Sequence, residues 1–318
     1  MDVYLPIAGQ SVNAPLIILL GFMVGVLSGM FGVGGGFLTT PLLIFYGIPP
    51  TVAVASAATQ ITGASVSGVM VHMRRGGVDL KMALVMITGG LFGSVFGAVL
   101  FRLFQASGQI DLVIDSLYVI ILGGIGGLML KDALVALGYL GTSSTPPSAV
   151  ADGEVGGDPP ATDQPRNTRW VQRLPMRWRF AESGLFISPV APLTLGFVAG
   201  VLTVFLGIGG GFILVPAMIY LLGMPARVVI GTSLAMVLAV SAATTMVHSL
   251  TTRAVDIVLA GLLLIGGVVG AQYGALLALR IKPDFLRLAL AVIILIVALR
   301  MALGLAWRPD EIFSIEYL

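Results

Sequence analysis

Apolar residues in this chain gather into long stretches that short polar segments separate. Most stretches reach the roughly 20 residues that a helix needs to cross about 30 Å of hydrocarbon. Two stretches, 37–48 and 212–223, would cover only about 18 Å each, and each directly follows a run of glycines. Because consecutive glycines disfavour a helix, we expect each short stretch to be the returning arm of a hairpin that turns within the membrane. The predicted stretches are 15–31, 37–48, 51–73, 78–104, 110–139, 186–206, 212–223, 226–250, 254–280 and 284–307.

This pattern occurs twice along the chain. The motif Gly-x-Gly-Gly-Gly-Phe at 32–37 returns at 207–212, a shift of 175 residues, and the Gly-x-x-x-Gly-x-x-x-Gly motif at 89–97 returns at 266–274. The second motif indicates close helix–helix packing. Two related apolar halves with matched glycine breaks are typical of internally duplicated transporters. We therefore predict an all-α integral membrane protein of two inverted repeats, each a glycine-broken helical hairpin followed by three transmembrane helices.

Composition supports a membrane setting. The 318 residues are 57% hydrophobic and only 10% charged, and mean hydropathy is +1.04. So few polar residues could not coat a globule in water, so the lipid bilayer is the predicted surrounding of most of the chain. The chain contains 0 cysteines. This excludes disulfides, thiolate metal sites and a cysteine nucleophile.

The positions of Lys and Arg predict the orientation. If the central linker is cytoplasmic, thirteen of the 17 basic residues lie on the cytoplasmic side and both termini lie outside. Each half then makes an odd number of crossings, so the second half is inverted, in a multi-pass protein of the cell inner membrane. The predicted order is an external N-terminal tail (1–14), a first membrane repeat (15–139), a cytoplasmic linker (140–185), a second membrane repeat (186–307) and an external C-terminal tail (308–318).

The linker divides into two parts. Residues 141–165 are rich in Ser, Thr, Pro, Gly and acidic residues, which predicts disorder. Residues 166–180 interleave arginines with Trp170 and Trp178, which suits a segment on the anionic inner leaflet. Nucleic-acid binding is the competing interpretation of such a stretch, and we do not favour it in an integral membrane protein.

The glycine breaks are the first candidates for chemistry. Each break should leave free backbone N–H groups at the start of a short helix, where the helix dipole favours an anion. The simpler interpretation is that these glycines only permit a tight turn and close packing. Polar residues of the following helices could add hydroxyl and amide contacts, although such residues also join membrane helices. The candidate substrate-binding residues are Gly34, Gly35, Gly36, Thr39, Gln60, Gly209, Gly210, Gly211 and Thr244.

A second group of residues could couple transport to protons. His72 and His248 titrate near neutral pH, and Asp115 is a candidate carboxylate within the membrane. The alternative is that all three are polar residues at the membrane–water boundary. We find no nucleophile–base pair, no metal-ligand spacing and no nucleotide-binding loop in the sequence, so we predict a protein that is not an enzyme, with no cofactor and no metal.

The duplicated Gly-x-Gly-Gly-Gly-Phe motif, followed by Pro41 and Pro216 around a hydrophilic linker, resembles the TauE/SafE family of sulfite exporter-like permeases. The resemblance implies a secondary transporter that exports small sulfur-containing anions, such as sulfite, sulfoacetate or related organosulfonates, across the inner membrane. A passive anion channel, or a carrier for another small organic anion, remains the alternative. The implied partners are a small anion and lipid, and a homodimer is compatible with the sequence. Because Gln60 corresponds to Ala235 in the second half, we expect an asymmetric site.

Overall fold

A computed structural model describes residues 2–31, 36–74, 76–136, 178–180, 182–278 and 283–306. The first half contains β1 (Asp2–Leu5), β2 (Gln10–Asn13), α1 (Ala14–Phe31), α2 (Gly36–Phe45), α3 (Pro50–Arg74), α4 (Leu80–Ala106) and α5 (Ile110–Ala136). The second half contains β3 (Trp178–Phe180), β4 (Leu185–Ile187), α6 (Val190–Leu206), α7 (Gly211–Tyr220), α8 (Ala226–Thr251), α9 (Ile257–Ala278) and α10 (Pro283–Ala306). The two halves thus present the same order of elements.

The prediction of an all-α membrane protein is confirmed. Six of the described helices are long and apolar enough to cross a membrane. Helices α2 and α7 each have 10 residues, which confirms the two short arms expected after the glycine breaks. Gly34 and Gly35 of the first break lie outside the described residues. The six long helices are Pro50–Arg74, Leu80–Ala106, Ile110–Val135, Val228–Thr251, Ile257–Gly274 and Leu288–Ala306.

Glycines let the helices of the two halves approach backbone to backbone. A Cβ atom on Gly25 of α1 would lie 2.3 Å from the Gly267 carbonyl oxygen of α9, and one on Gly93 of α4 would lie 2.1 Å from the Phe197 oxygen of α6. Such contacts exclude any side chain. The predicted close packing at 89–97 and 266–274 is therefore confirmed. In both pairs the residue numbers rise together, so α1 runs parallel to α9, and α4 runs parallel to α6.

Another contact between the halves joins α3 and α8, which occupy equivalent places in the two repeats. The Thr59 hydroxyl donates to Thr245 Oγ1 at 3.4 Å, and the Thr62 hydroxyl donates to Ser241 Oγ at 3.1 Å. Residue numbers rise along α3 as they fall along α8, so the two helices are antiparallel. The bundle therefore has a β1–β2 end, where α3 begins and α8 ends, and a β3–β4 end, where α3 ends and α8 begins.

A β-hairpin precedes the first helix of each half. Strands β1 and β2 pair antiparallel, as do β3 and β4. Leu5 and Phe180 occupy equivalent places, 175 residues apart, and both are fully buried. Both hairpins fall in segments that the sequence analysis assigned wholly or largely to the N-terminal tail and the linker. Strands of three or four residues are too short for alternation to distinguish them from loop, so the sequence did not reveal them.

Candidate functional site

The second glycine break is a left-handed turn between two helices. Helix α6 ends at Leu206, and Gly207, Gly209 and Gly210 have φ angles of 64°, 70° and 74°. Only glycine adopts this conformation without strain. Helix α7 then begins, and the Gly210 carbonyl accepts from the N–H groups of Ile213 and Leu214 at 3.0 and 2.9 Å. Among the described residues, the N–H groups of Gly211 and Phe212 have no acceptor, as expected for the first turn of a helix.

The two breaks meet in the interior of the bundle. A Cβ atom on Gly36 would lie 3.0 Å from the Gly207 carbonyl oxygen. The Phe37 and Phe212 rings, each in the first turn after its break, stack with centroids 4.6 Å apart and planes 10° apart. Ile61 of α3 lies between the breaks, since a Cβ on Gly36 or on Gly209 would contact its side chain. The structure therefore brings the predicted site glycines Gly36 and 209–211 to one place.

A polar cluster surrounds the carboxyl end of α6. The Thr40 hydroxyl donates to the Leu206 carbonyl oxygen at 3.1 Å, and the Tyr118 hydroxyl donates to the same oxygen. Both side chains are fully buried. Each hydroxyl supplies a hydrogen-bond donor to the end of α6, because the last carbonyl groups of a helix have no partner within the helix. The sequence analysis did not predict Thr40 or Tyr118. Thr40 follows the glycine break by one turn, and this spacing could have indicated it. Tyr118 lies in an apolar stretch that gives no such signal.

The three predicted coupling residues do not lie together. His248 is fully buried, with Nε2 3.1 Å from the Val204 carbonyl oxygen and Nδ1 3.3 Å from Thr252 Oγ1. Asp115 lies about one turn before Tyr118 on α5 and is partly buried. These two residues are thus associated with the end of α6. His72 is partly exposed near the end of α3 at the β3–β4 end of the bundle, away from His248.

The other predicted contact residues also separate. Gln60 is buried, and its Nε2 donates to the Leu263 carbonyl oxygen of α9 at 3.4 Å, so its amide faces α9. Within the described part of the chain, Gln60 Oε1 and Thr244 Oγ1 are buried without a hydrogen-bond partner. Thr39 is buried in α2. Buried polar atoms without partners are uncommon in proteins, and each one is a candidate contact for a bound molecule.

Contacts between α3 and α8 differ on the two sides of the glycine breaks, although buried polar residues such as Ser65 and Thr232 also lie toward the β3–β4 end. Ile61 of α3 and Val237 of α8 lie at the same height along the bundle as the second glycine break, because both would contact a Cβ on Gly209. Toward the β1–β2 end, the interface between α3 and α8 carries the hydrogen-bonded pair Thr59 and Thr245. Toward the β3–β4 end, it carries an apolar contact between Gly68 and the Leu234 side chain. The Thr40, Tyr118 and His248 contacts add to the polar side.

Comparison with known proteins agrees with this architecture. The family model for the sulfite exporter TauE/SafE family matches residues 17–301. The probable membrane transporter protein YjnA of Bacillus subtilis is 28% identical over 285 residues, which are 90% of this chain and 98% of that protein. A probable membrane transporter protein of Xylella fastidiosa (strain 9a5c) is 29% identical over 83% of this chain and 84% of its own length.

A shorter match comes from plants. The sulfite exporter TauE/SafE family protein 6 of Arabidopsis thaliana is 35% identical over 26% of this chain and 19% of its own length. No solved structure matches the chain.

Proposed function

Because the chain belongs to the sulfite exporter TauE/SafE family, we propose that this multi-pass membrane transporter exports small sulfur-containing anions by alternating access. Sulfite, sulfoacetate and related organosulfonates are the proposed substrates. The meeting of two glycine-broken helices in the interior of a duplicated bundle is the observation that carries the proposal. Transporters built from inverted repeats hold their substrates at such discontinuous helices near the middle of the bilayer.

The helix directions support an inverted repeat. In such an arrangement, equivalent helices of the two halves cross the membrane in opposite senses. Antiparallel packing of α3 and α8 fits this requirement. If each hairpin of α1–α2 and α6–α7 returns to its starting side, α1 and α9 must run in the same direction, and so must α4 and α6, as observed. Alternating access would then be a rocking of one half against the other.

The proposed anion site lies where the two breaks meet. The N–H groups of Gly211 and Phe212 supply hydrogen-bond donors, and the helix dipole adds partial positive charge without a cationic side chain. Thr244 and Gln60, with buried polar atoms that lack partners among the described residues, are the proposed side-chain contacts. Gly34 and Gly35 would supply the matching donors from the first break. An uncharged site of this kind binds an anion without holding it as tightly as a buried arginine would.

We further propose that export is driven by an ion gradient or by the gradient of the anion itself, with Asp115 and His248 as the candidates for proton coupling. Both belong to the polar side of the bundle, which connects the breaks to the β1–β2 end. The distribution of Lys and Arg favours an external location for this end and a cytoplasmic location for the linker. Because the chain has 0 cysteines, single cysteines introduced in residues 141–165 and near each terminus would test this orientation.

Efflux from proteoliposomes loaded with sulfite or sulfoacetate tests the proposed function. We expect saturable efflux that counter-transport of the same anion accelerates. Gly209→Ala should abolish efflux, because the new Cβ would lie 2.9 Å from both Ile61 and Val237 side-chain atoms, in the space between the breaks.

Gly47→Ala is the matched control for this test. Gly47 also has a positive φ angle, but nothing lies within 4 Å of an added Cβ. This variant therefore suffers the same kind of backbone strain outside the site and should keep transporting. Efflux that survives Gly209→Ala in an inserted protein would contradict the site. Flux that neither saturates nor responds to counter-transport would indicate a passive anion channel.

A further inference from the structure

Two buried aspartates occupy equivalent positions at opposite ends of the bundle. Asp79 directly precedes α4 and Asp256 directly precedes α9, and the two are 1% and 0% exposed. Each caps its own helix: Asp79 Oδ1 accepts from the N–H of Met82 at 3.0 Å, and Asp256 Oδ1 accepts from the N–H of Leu259 at 3.1 Å. A carboxylate at this position satisfies helix N–H groups and complements the helix dipole.

The other carboxylate oxygen of each aspartate binds the β-hairpin of the opposite half. Asp79 Oδ2 accepts from the N–H of Ser183 at 3.1 Å and from its hydroxyl at 2.6 Å, in the turn between β3 and β4. Asp256 Oδ2 accepts from the N–H of Ile7 at 3.1 Å, in the turn between β1 and β2. In each aspartate, one carboxylate oxygen therefore caps a helix of its own half, and the other oxygen binds the β-hairpin of the opposite half.

A second bond between the halves accompanies each of these contacts. The N–H of Asp79 donates to Thr232 Oγ1 of α8 at 3.0 Å, and the N–H of Asp256 donates to Ser56 Oγ of α3 at 3.2 Å. Thr232 and Ser56 are themselves equivalent, 176 residues apart. The β3–β4 end and the β1–β2 end are thus each closed by the same set of contacts between the two halves.

We propose that these contacts are two latches, and that transport opens them alternately. The Asp79 latch consists of Asp79, Ser183 and Thr232, and the Asp256 latch consists of Asp256, Ile7 and Ser56. This inference rests on the proposed alternating access. If one half rocks against the other and separates from it at one end, the bonds that cross between the halves at that end must break, while those at the opposite end can persist. Asp79 and Asp256 act as positioning residues, because neither contacts the described residues of the glycine breaks.

The two latches differ in strength. The Asp79 latch has the additional bond from the Ser183 hydroxyl, whereas Ile7 at the Asp256 latch offers only its backbone N–H. Hydrogen bonds to a carboxylate are about twice as strong as those between neutral groups. The resting protein should therefore favour closure at the β3–β4 end, and weakening the Asp79 latch should remove that preference.

Cysteine accessibility in proteoliposomes tests the latches on the full chain, which has 0 native cysteines. Ala58→Cys and Ser65→Cys are suitable reporters, because both residues are buried and lie on the face of α3 that carries Thr62 and contacts α8. Ala58 is about one turn from Ile61 toward the β1–β2 end, and Ser65 about one turn toward the β3–β4 end. Each reporter is labelled with a membrane-impermeant thiol reagent, in separate samples, from each side of the membrane.

We expect opposite shifts from the two aspartates. Asp79→Asn should raise the labelling rate of Ser65→Cys about tenfold and lower that of Ala58→Cys. Tenfold is about the change in the open population expected when a hydrogen bond to a charged group is lost. Asp256→Asn should do the reverse. Ser183→Ala, which keeps the backbone donor and removes only the hydroxyl, should shift labelling in the same direction as Asp79→Asn but by less. If Asp79→Asn fails to fold, Ser183→Ala alone tests the Asp79 latch.

Two results would overturn the latches. One is labelling that rises equally at both reporters in either aspartate variant, which is the behaviour of residues with a merely structural role. The other is labelling that does not change in any variant. The measurement needs no substrate, so it separates this inference from the proposed function. Opposite shifts in a protein that carries none of the tested anions would support the latches and contradict the proposed substrates.

Discussion

The two halves of the bundle share a scaffold and differ in chemistry. Glycine packing is the same in both halves, because Gly93 and Gly270 would each place a Cβ 2.1 Å from a carbonyl oxygen of the opposite half. The aspartate latches are also paired. The hydroxyl groups are not: Thr40, which donates to the end of α6, corresponds to Val215 in the second half. Duplication thus preserved the contacts that hold the halves together and left the polar side chains free to diverge.

This difference has a physical basis. A backbone contact between two helices tolerates only glycine, so both copies must keep the residue. A hydroxyl beside a helix end is needed only where that end, or a substrate, requires a donor. We therefore expect substitutions in the scaffold to have equal effects in both halves, and substitutions in the polar cluster to have effects that depend on the half.

The largest expected effect is at the packing glycines. Gly270→Ala in α9 should lower stability by about 3 kcal/mol or more, because the Cβ would meet the Phe22 carbonyl oxygen and α1 must move away. Gly93→Ala should lower stability as much in the other half. The measurement is the thermal unfolding midpoint of the purified protein in detergent.

Gly261→Ala is the matched control for Gly270→Ala. It lies in the same helix with nothing within 4 Å of an added Cβ, and stability should change by no more than about 1 kcal/mol. Clearly unequal losses at Gly93 and Gly270 would show that the scaffold is not symmetric.

The next largest effect is expected at the polar cluster. Thr40→Val and Tyr118→Phe each remove one donor to the Leu206 carbonyl oxygen, so each should cost about 1 kcal/mol. The double variant leaves this buried oxygen without a side-chain donor and should cost about 1–3 kcal/mol more than the sum of the two.

A double-mutant cycle of thermal stability measures this coupling. Thr194→Val is the control, because it removes an exposed hydroxyl that bonds only within α6. Its effect should be near zero. Strict additivity of Thr40→Val and Tyr118→Phe would mean that the two hydroxyls do not share the carbonyl.

The smallest effect on stability is expected at Gln60. Gln60→Leu removes a buried Oε1 that has no partner among the described residues, and only a 3.4 Å hydrogen bond is lost. Stability should therefore stay within about 1 kcal/mol of the original, or rise. Efflux should fall if the amide contacts the anion.

Adding Met236→Gln to this variant places the amide at the equivalent position of the second half. Met236, and not Ala235 as the sequence spacing predicted, corresponds to Gln60 in the structure, because Met236 contacts Gly90 as Gln60 contacts Gly267. Because the site is proposed to be asymmetric, efflux should stay low. Recovery of efflux would show that the two halves contribute equally. A fall in stability of several kcal/mol in Gln60→Leu alone would show instead that Gln60 is needed for folding.

Much of the fold could be predicted from the sequence because it depends on local rules. Apolar length determined the spanning helices, and consecutive glycines marked the break before α7 at Gly211. The site was predicted less completely. Gly36 and 209–211 do come together, but Gln60 faces α9, and the donors Thr40 and Tyr118 were not anticipated. Helical spacing predicts on which face of its own helix a residue lies, but it does not predict which neighbouring helix packs against that face.

The amino-acid sequence by itself determined the duplication, the membrane environment and the positions of the glycine breaks, because each follows from the types of residues and their spacing. Only the tertiary structure decided which helices of the two halves touch, which carbonyls need a donor, and that Asp79 and Asp256 reach the hairpins of the opposite half. These contacts join residues 104 and 249 positions apart. Their existence depends on how the completed helices pack, which no local pattern encodes.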